Sequence, residues 1–489
     1  MISVALLGLM PIKAREGFVM YTVNMDRNKR KNHFHVVTEP FLQQAGLPFA
    51  EVLTGEAIEQ AFAEKDVLFG QDDIFSTQIV LWAFLAQVLR GGKGAACSAA
   101  VADIATYMQQ TGGRVPSGDT GDYCRARAKL NLAALHQLTT QTAQQLEENA
   151  DASWLWHGHH AKLIDGFTFT MPDTPDNQEE FPQQRTQQPG IGFPIARACA
   201  VLSLATAAIH DLNLGPYEGK ETGESALLRE ILDCLKQEDV AVFDRYFCSF
   251  MMLAILRLRG VHFCARLHQR RPGDFRRGKR LGPGDHLVTW VRPIRPGWMS
   301  EELYAQIPET LTLREVRFQV TVPGRRTETL TVVTSLIDPD TYPKEDIGEL
   351  YGYRWNAELD IREIKQTLSL DHVRCKAPDM VRRELWVTLL AYNLVRKLIA
   401  TAAAIHGTQP RHLGFTLGCQ TVLSSWMLLS TGCCRDARGL WRSTLERIAA
   451  NKVADRPGRI EPRVLKRRRH RYPLMRRPRR QLRRELART

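Results

Sequence analysis

Three carboxylates occur in largely apolar surroundings, where a charged side chain needs a specific explanation. Asp165 and Asp244 each end an apolar strand-like run, and Glu358 lies inside a predicted helix. A buried carboxylate is costly unless it is paired or bound to metal, and hard divalent cations such as Mg²⁺ prefer carboxylate oxygens. Two such ions about 4 Å apart can activate an attacking hydroxyl and stabilise the leaving oxygen of a phosphoryl displacement. The residue types therefore favour metal-dependent phosphoryl transfer.

The elements that must position these carboxylates follow from the apolar pattern around them. A strand AKLIDGFTFT, two further strands, a helix TGESALLREILDCLK, a strand DVAVFD, a helix SFMMLAILRLRG and a strand VHFCARLH follow one another. The order β-β-β-α-β-α-β is that of a ribonuclease-H-like mixed sheet covered by helices. If the first and fourth strands are neighbours, Asp165 and Asp244 emerge at the same sheet edge, where Glu358 of a packed helix can complete a metal site.

The helix that carries Glu358 supplies a second observation. At 100° per residue, Tyr351, Arg354, Glu358 and Lys365 fall within a sector of about 60°. One carboxylate, two cations and a phenol on one stripe suit a metal ion flanked by phosphates, and Arg354 can grip a phosphate bidentately. An ordinary amphipathic helix with surface ion pairs has the same spacing. The apolar residues expected to face the core are Ile347, Leu350, Ile361 and Leu368.

Composition shifts divide the chain of 489 residues into units. The predicted class is α/β: a ribonuclease-H-like core with an inserted β-rich domain, an all-helical N-terminal domain and a helical, basic C-terminal region. The predicted bounds are 1–34 for an extension or a disordered start, 35–150 for a helical DNA-binding domain, 151–270 and 336–408 for the core, 271–335 for the insertion, and 409–489 for the C-terminal region.

The positive charge is concentrated at one end of the chain. The formal net charge is +13, and residues 459–489 contain fourteen Lys and Arg against Glu461 and Glu485. A block of this kind attracts polyanions, and each phosphate that it neutralises releases counterions. Nucleic acid is the natural partner, with a solvated solubility tail as the alternative.

The segment from Tyr351 to Lys365 reads YGYRWNAELDIREIK. It resembles the Y-x2-R-x3-E-x6-K signature of the bacterial insertion sequence 4 family of transposases, which also carry two upstream strand-end aspartates. The resemblance implies that Asp165, Asp244 and Glu358 form a DDE catalytic triad holding two Mg²⁺ ions, with Mn²⁺ able to substitute. It further implies contacts to DNA phosphates by the residues of the signature and of the Asp-Arg pair, namely Tyr351, Arg354, Lys365 and Arg245.

The same resemblance implies a reaction and an assembly. A dimer on paired terminal inverted repeats would nick DNA, form and open a hairpin at the transposon end, and transfer the 3′ strand into target DNA. Members of the family hold a flipped base with an aromatic residue of the β insertion. Trp290 and Trp298 are candidates here, although a core or surface role accounts for each equally simply. Trp355, beside Arg354, is undecided.

Several other classes of protein are disfavoured. No uninterrupted apolar stretch approaches the roughly 20 residues that span a bilayer, and the N-terminus has no cleavage-site pattern, so we expect a cytoplasmic, nucleoid-associated bacterial protein. The ten cysteines include no CxxC pair. His157, His159 and His160 lack the spaced partners of a zinc site, Asp371, His372 and Cys375 lack the features of a nucleophile site, and residues 91–94 lack Walker spacing.

Two other functions remain compatible with the sequence. One is a non-catalytic DNA-binding regulator or a relic of a transposase, since helical and basic regions could bind transposon ends without cutting them. The presence of all three carboxylates with Arg354 and Lys365 argues against decay. The other is a ribonuclease-H-like nuclease, which would cut with metal but not join strands, and the signature from Tyr351 to Lys365 disfavours it.

We expect deletion of residues 459–489 to weaken binding to non-specific duplex DNA, most strongly at low salt. The slope of log affinity against log salt should fall by about 0.9 for each DNA phosphate that the segment neutralises in the full-length protein. Fluorescence anisotropy over a range of salt concentrations measures this slope. An unchanged slope would identify the segment as a solubility tail.

Overall fold

A nine-stranded mixed sheet forms the centre of the protein in a computed structural model, which describes residues 61–62, 69–70, 74–110, 112–271, 273–320, 328–430, 436–453 and 475–487. The strand order is β3-β2-β1-β4-β5-β9-β8-β7-β6. The strands are β1 (Ala161–Thr170), β2 (Ile195–Ser203), β3 (Ile209–Pro216), β4 (Val240–Phe243), β5 (His262–Arg266), β6 (Lys279–Gly282), β7 (Asp285–Val291), β8 (Thr310–Val320) and β9 (Glu328–Thr334).

Strand directions identify the fold of the first five strands. β1, β2 and β3 form an antiparallel meander, whereas β4 pairs parallel to β1 and β5 pairs parallel to β4. The central strand β4 is wholly apolar and buried at every position, and β2 is buried at all but two, as expected for a sheet covered on both faces. The order and directions confirm the predicted ribonuclease-H-like α/β core.

The β-rich insertion continues the core sheet. β9 pairs antiparallel with β5 through Cys264 and Thr334, and β8, β7 and β6 add successive antiparallel strands. β6 and a short helix at Glu301–Gln306 are elements that the apolar pattern did not indicate. Because the insertion adds its strands at the β5 edge, it lengthens the sheet beyond the core.

Helices cover both faces of the sheet. The helices are α1 (Thr77–Arg90), α2 (Cys97–Gln110), α3 (Gly121–Ala128), α4 (Leu132–Glu148), α5 (Pro175–Glu180), α6 (Glu224–Arg229), α7 (Phe250–Leu258), α8 (Glu301–Gln306), α9 (Lys344–Gly352), α10 (Trp355–Gln366), α11 (Pro378–Ile405), α12 (Phe415–Ser430), α13 (Ala437–Ala450) and α14 (Arg479–Leu486). One apolar cluster joins the N-terminal helices, α9, α10 and α11 to one face of β1 and β4, and a second joins α6 and α7 to the other face.

α11 is the longest helix in the described part of the chain. It is also the one helix there that is long and apolar enough, on composition, to cross a membrane. Its most apolar 18-residue window is 78% buried within the protein, against α1, α4, α12 and α13. The helix therefore packs as a core helix, and its apolar surface is already covered.

The predicted helix from Lys344 to Leu368 is interrupted. α9 ends at Gly352 and α10 begins at Trp355, with Tyr353 and Arg354 between them in right-handed helical conformation. The four residues predicted to share one side of a continuous helix therefore lie on α9, on α10 and on the link between them. The apolar side of the prediction is confirmed, because the side chains expected to face the core are all buried: Ile347, Leu350, Ile361 and Leu368.

Some predictions lie partly or wholly outside the described residues. These are the extension 1–34, the start of the helical region 35–150, and most of the basic tail. The predicted domain bounds stay a prediction, since a continuous sheet and shared apolar clusters do not mark where one unit ends.

A buried charge cluster joins α4 to the start of β1 and to β3. Lys162 Nζ lies 2.8 Å from Glu147 Oε1 and 2.9 Å from His210 Nε2, and all three side chains are buried. His160 Nδ1 also lies 2.8 Å from Glu147 Oε1. Lys162 and two histidine contacts hold the pKa of Glu147 well below its usual range although burial opposes this, and burial lowers the pKa of His210 to about 4.

We expect Lys162→Met to lower the free energy of unfolding at pH 7 by about 3–5 kcal/mol, because Glu147 would stay buried without its cation. The double variant Glu147→Leu/Lys162→Met should recover most of that loss. Since the folded pKa of Glu147 is depressed, its stabilisation is present above its ordinary pKa and is lost as pH falls through the lower folded value. Urea denaturation from pH 7 to pH 3 tests both points, and equal losses in the single and double variants would contradict them.

Candidate active site

The two aspartates lie on neighbouring parallel strands. Ile164 of β1 pairs with Phe243 of β4, so the next residues, Asp165 and Asp244, stand level with each other. Adjacent strands are about 4.8 Å apart, and side chains alternate between the faces. Leu163 belongs to the cluster that packs against α10, so Asp165, two residues later, is on that same face. The prediction that the first and fourth strands are neighbours and bring the two aspartates together is confirmed. The prediction that Asp165 ends its strand is wrong, because β1 continues to Thr170 through its pairing with β2, and only its pairing with β4 ends at Ile164.

α10 brings Glu358 to this face. Ala357, Ile361 and Ile364 are buried in the same apolar cluster as β1 and β4, which leaves Glu358 on the side of α10 that lines a cleft against β1. The cleft is lined by Asp165, Gly166, Glu358, Ile361, Arg362, Lys365, Gln366 and Asp371. The packing of the apolar side of α10 therefore determines that its acidic side meets Asp165.

Arg354 lies between Asp165 and Glu358 in the cleft. Its Nη2 donates to Glu358 Oε1 at 2.8 Å, and its Nη1 lies 3.5 Å from Asp165 Oδ2. The guanidinium is largely buried and lies 5.3 Å from the ring of Trp355. A single cation thus serves two carboxylates from different elements, in the arrangement that a metal ion would also provide.

Burial raises the pKa of Asp165 to about 6. The Arg354 guanidinium and the Gly166 N–H lower this pKa, and the negative charges of Glu358 and Glu224 raise it. Like charges brought together away from water resist ionisation. A cation placed among these carboxylates is therefore favoured by the surrounding charge.

Glu224 is a further carboxylate close to the aspartates that the sequence analysis did not single out. It is the first residue of α6, and its side chain lies over Gly166 so closely that any side chain at that position would collide with it. Burial raises the pKa of Glu224, Arg197 lowers it and Asp244 raises it. The signal for this contact was the glycine after Asp165, but only the tertiary fold shows which residue fills the space.

Two residues predicted to contact DNA, Arg245 and Tyr351, lie close to Asp244. The Arg245 N–H donates to Asp244 Oδ1 at 2.6 Å, and the Arg245 guanidinium lies 3.5 Å from the Gln269 amide oxygen, beyond β5. Tyr351 is buried, and burial raises its pKa to about 12, with Arg354 lowering it and Asp244 raising it. Tyr351 is therefore a neighbour of the aspartate rather than an exposed phenol.

Lys365 lies in the cleft beside a partner that the sequence analysis dismissed. Its Nζ is 2.9 Å from Asp371 Oδ1. The segment after α10 is held to the end of β1, since the Thr170 N–H donates to the Asp371 carbonyl at 3.1 Å and the Val373 N–H donates to the Thr170 carbonyl at 3.2 Å. Asp371 is thus a cleft residue, and no local sequence signal indicated it.

Arg266 is a cation near Asp244 that the sequence analysis missed. It ends β5, and because Phe243 pairs with Ala265, it stands level with Asp244 on the adjacent parallel strand. Its charge lowers the pKa of Tyr351. A basic residue at the end of a predicted apolar strand, next to the strand that carries Asp244, was the signal available in the sequence.

The donor set fits a hard divalent cation. Asp165, Asp244 and Glu358 offer carboxylate oxygens, which Mg²⁺ and Mn²⁺ prefer, and they lie on one face beside a cleft open to solvent. In the described ranges no three His, Cys, Asp or Glu side chains are gathered around one ion position. Arg354 pairs with two of these carboxylates, Asp165 and Glu358.

The histidines and tryptophans noted in the sequence lie elsewhere. His157, His159 and His160 contact Asp346, Tyr342 and Glu147, each at 2.8 Å. Trp290 is buried and donates to Glu315 Oε1 at 3.1 Å, which makes it a core residue. Trp298 is half-buried beneath Arg229, at 4.0 Å, and Trp355 is exposed over 58% of its surface. The exposed tryptophan is therefore the one beside Arg354.

Comparison with known proteins agrees with this geometry. The profile of the family described as the transposase DDE domain matches residues 156–394, the span that contains β1, β4 and α10. The chain is 29% identical over 352 residues to the transposase InsG for insertion sequence element IS4 of Escherichia coli K12, which covers 71% of this chain and 77% of that protein. It is also 34% identical over 68 residues to the transposase for insertion sequence element IS421 of Escherichia coli, which covers 14% of this chain and 18% of that protein.

One solved structure is similar over 87% of each chain, with 11% identity and a TM-score of 0.43: a cryo-EM structure of the piggyBac transposase synaptic complex with hairpin DNA. The fold assignment rests on the strand order described above. The matched domain spans Asp165, Asp244 and Glu358, and DDE transposases bind DNA and use divalent metal ions for phosphoryl transfer. This chain belongs to the DDE transposase family.

Proposed function

We propose that this transposase catalyses cut-and-paste transposition of an insertion sequence, with Asp165, Asp244 and Glu358 as its catalytic carboxylates. The observation that carries the proposal is that two aspartates from neighbouring parallel strands and one helix glutamate share a face of the sheet, where Arg354 pairs with carboxylates from two elements. Two Mg²⁺ ions are the proposed cofactors, and Mn²⁺ should substitute because it shares the preference for oxygen ligands.

The carboxylates would hold the ions, which activate the attacking hydroxyl and stabilise the leaving oxygen of an in-line displacement when bound. Arg354, once its carboxylates are neutralised by metal, can turn its planar guanidinium to a DNA phosphate and bind it bidentately. Lys365, now 2.9 Å from Asp371, stands on the same side of the cleft and can contact the next phosphate. Tyr351 and Arg245 border the Asp244 side of the site.

The proposed order of steps is a nick that frees a 3′-hydroxyl, attack of that hydroxyl on the opposite strand to form a hairpin, opening of the hairpin by water, and strand transfer to target DNA. Each step breaks one phosphorus–oxygen bond and forms another, so one site can perform all four without an external energy source. A homodimer on paired terminal inverted repeats is the proposed assembly. Trp355, exposed beside Arg354, is the tryptophan best placed to stack on an extruded base.

We expect Asp165→Asn, Asp244→Asn and Glu358→Gln each to reduce cleavage at the terminal repeats by at least about 10³-fold, since each removes a ligand charge from the ions. Binding of the repeats should change by less than about twofold, because a changed ligand leaves the DNA-contacting cations in place. A labelled DNA with the element's own inverted repeats, incubated with Mg²⁺ or EDTA, measures nicking and joining. Asp211→Asn, on β3, serves as a carboxylate control outside the cleft.

The same assay separates the alternatives. Metal-dependent nicks at the repeat ends together with joined products, both lost in Glu358→Gln, support the transposase proposal. Binding without metal-dependent cutting would identify a regulator or a relic, and cutting without joining would identify a nuclease. Cleavage retained in any one of the three variants would remove that residue from the catalytic set.

We expect Arg354→Gln to bind Mn²⁺ about tenfold more tightly than the wild type in the absence of DNA, a difference of about 1.4 kcal/mol. The reason is that Arg354 competes with a metal ion for Asp165 and Glu358. The same variant should cleave transposon ends more slowly, because it lacks the phosphate contact. Electron paramagnetic resonance of free Mn²⁺ measures the affinity, with Arg362→Gln as the control, since exposed Arg362 lines the same cleft. An equal gain of affinity in both variants would show a general charge effect instead.

A further inference from the structure

Asp360 lies two residues after Glu358, on the buried side of α10. It is 2% exposed and accepts hydrogen bonds from two arginines of other elements. Arg411 donates from Nη2 to Asp360 Oδ2 at 2.8 Å and from Nη1 to Oδ1 at 3.1 Å. Arg396 of α11 donates from Nη2 to Asp360 Oδ1 at 3.1 Å. One carboxylate thus joins α10 to two separate parts of the chain.

Arg411 extends this connection to the sheet. Its Nη2 also donates to the Ser203 carbonyl at 2.7 Å, and its Nε donates to the Leu204 carbonyl. Ser203 pairs with Lys162 of β1, and the Leu204 N–H donates to the Ala161 carbonyl at 2.9 Å. A chain of hydrogen bonds therefore runs from α10 through one guanidinium to β1, the strand that carries Asp165.

Arg396 of α11 holds α10 at a second position. It pairs with Glu363 as well as Asp360, two acids that lie one turn apart on the same side of α10. Its Nε donates to the Tyr392 hydroxyl at 2.9 Å, and its side chain is 3% exposed. Contacts at two successive turns determine the rotation of α10 about its axis and its position along it.

Stability alone is a poor reason for such a network. Buried ion pairs recover little more than the cost of removing their charges from water, and apolar residues of the same volume often stabilise as well. Apolar packing, however, is non-directional, whereas a carboxylate held by two guanidinium groups has defined geometry. Catalytic groups have to be held within about 0.5 Å of their productive positions.

We propose that Asp360, Arg411 and Arg396 are positioning residues that place Glu358 at the correct distance from Asp165 for the two carboxylates to share the metal ions. The inference rests on the proposed function. Arg411 is its most direct test, because it links α10 to the sheet while Arg396 keeps Asp360 paired when Arg411 is replaced.

The experiment compares Arg411→Gln with the matched control Arg383→Gln. Both side chains are 16% exposed, and both donate to distant backbone carbonyls, Arg383 from Nε to Leu130 at 2.6 Å. Arg383 pairs within α11 and has no contact with α10 among those described. Loss of general stability should therefore be similar in the two variants, and loss of positioning should occur in one.

We expect both variants to lower Tm by similar amounts. Only Arg411→Gln should raise the Mn²⁺ concentration for half-saturation, about tenfold, as measured by electron paramagnetic resonance with terminal-repeat DNA bound. It should also lower kcat for nicking at least tenfold, with KM for the repeats changed less than twofold. Mn²⁺ binding and kcat equal to those of Arg383→Gln would overturn the inference.

A second substitution at Arg411 and the wild-type cleavage assay distinguish the possible outcomes. If Arg411→Gln does not fold, Arg411→Lys retains the charge beside Asp360 but cannot reproduce the planar set of bonds to the carboxylate and two carbonyls. It carries the same expectation and the same contrary outcome. Wild-type protein that cuts no DNA would contradict the proposed function, whereas wild-type cutting with unchanged metal dependence in the Arg411 variant would contradict only the positioning role.

Discussion

Repulsion among carboxylates that are removed from water is the constraint on which the arrangement of this protein depends. Burial and the negative charges of Glu358 and Glu224 raise the pKa of Asp165, and burial and the charge of Asp244 raise the pKa of Glu224. Two cations offset this repulsion: Arg354 lies between Asp165 and Glu358, and Arg197 lies near Glu224. A site built in this way attracts further positive charge, which is the property that a metal-dependent phosphoryl transferase requires.

The rest of the fold can be understood as support for that site. Parallel pairing of β1 and β4 brings the two aspartates level, and the apolar side of α10 seats Glu358 against them. Behind α10, Asp360 connects the helix to α11 and to the end of β2. Charges therefore occur on both sides of one helix, exposed to the cleft on one side for chemistry and buried on the other for geometry.

The insertion shows how a larger surface can be added without disturbing this core. β9 joins the free edge of β5 and three more strands follow it, so β1 and β4 remain inside one sheet. Buried Arg314 pairs with Asp285 at 2.6 Å and donates to the Tyr342 carbonyl at 2.6 Å, which links the insertion to the segment just before α9.

The sequence by itself determined the order of the main strands and helices of the core, the association of Asp165 and Asp244 with its first and fourth strands, and the place of Glu358 within a signature. These features are local, because apolar periodicity and strand ends depend on residues close together in the chain. It did not show the break at Arg354, because both residues of the break keep helical backbone angles. Only the tertiary structure decided that Glu224 covers Gly166, that Asp371 pairs with Lys365, and that Arg411 holds Asp360. Each of these contacts joins residues distant in the chain, and no local pattern records which elements the packing of the core will bring together.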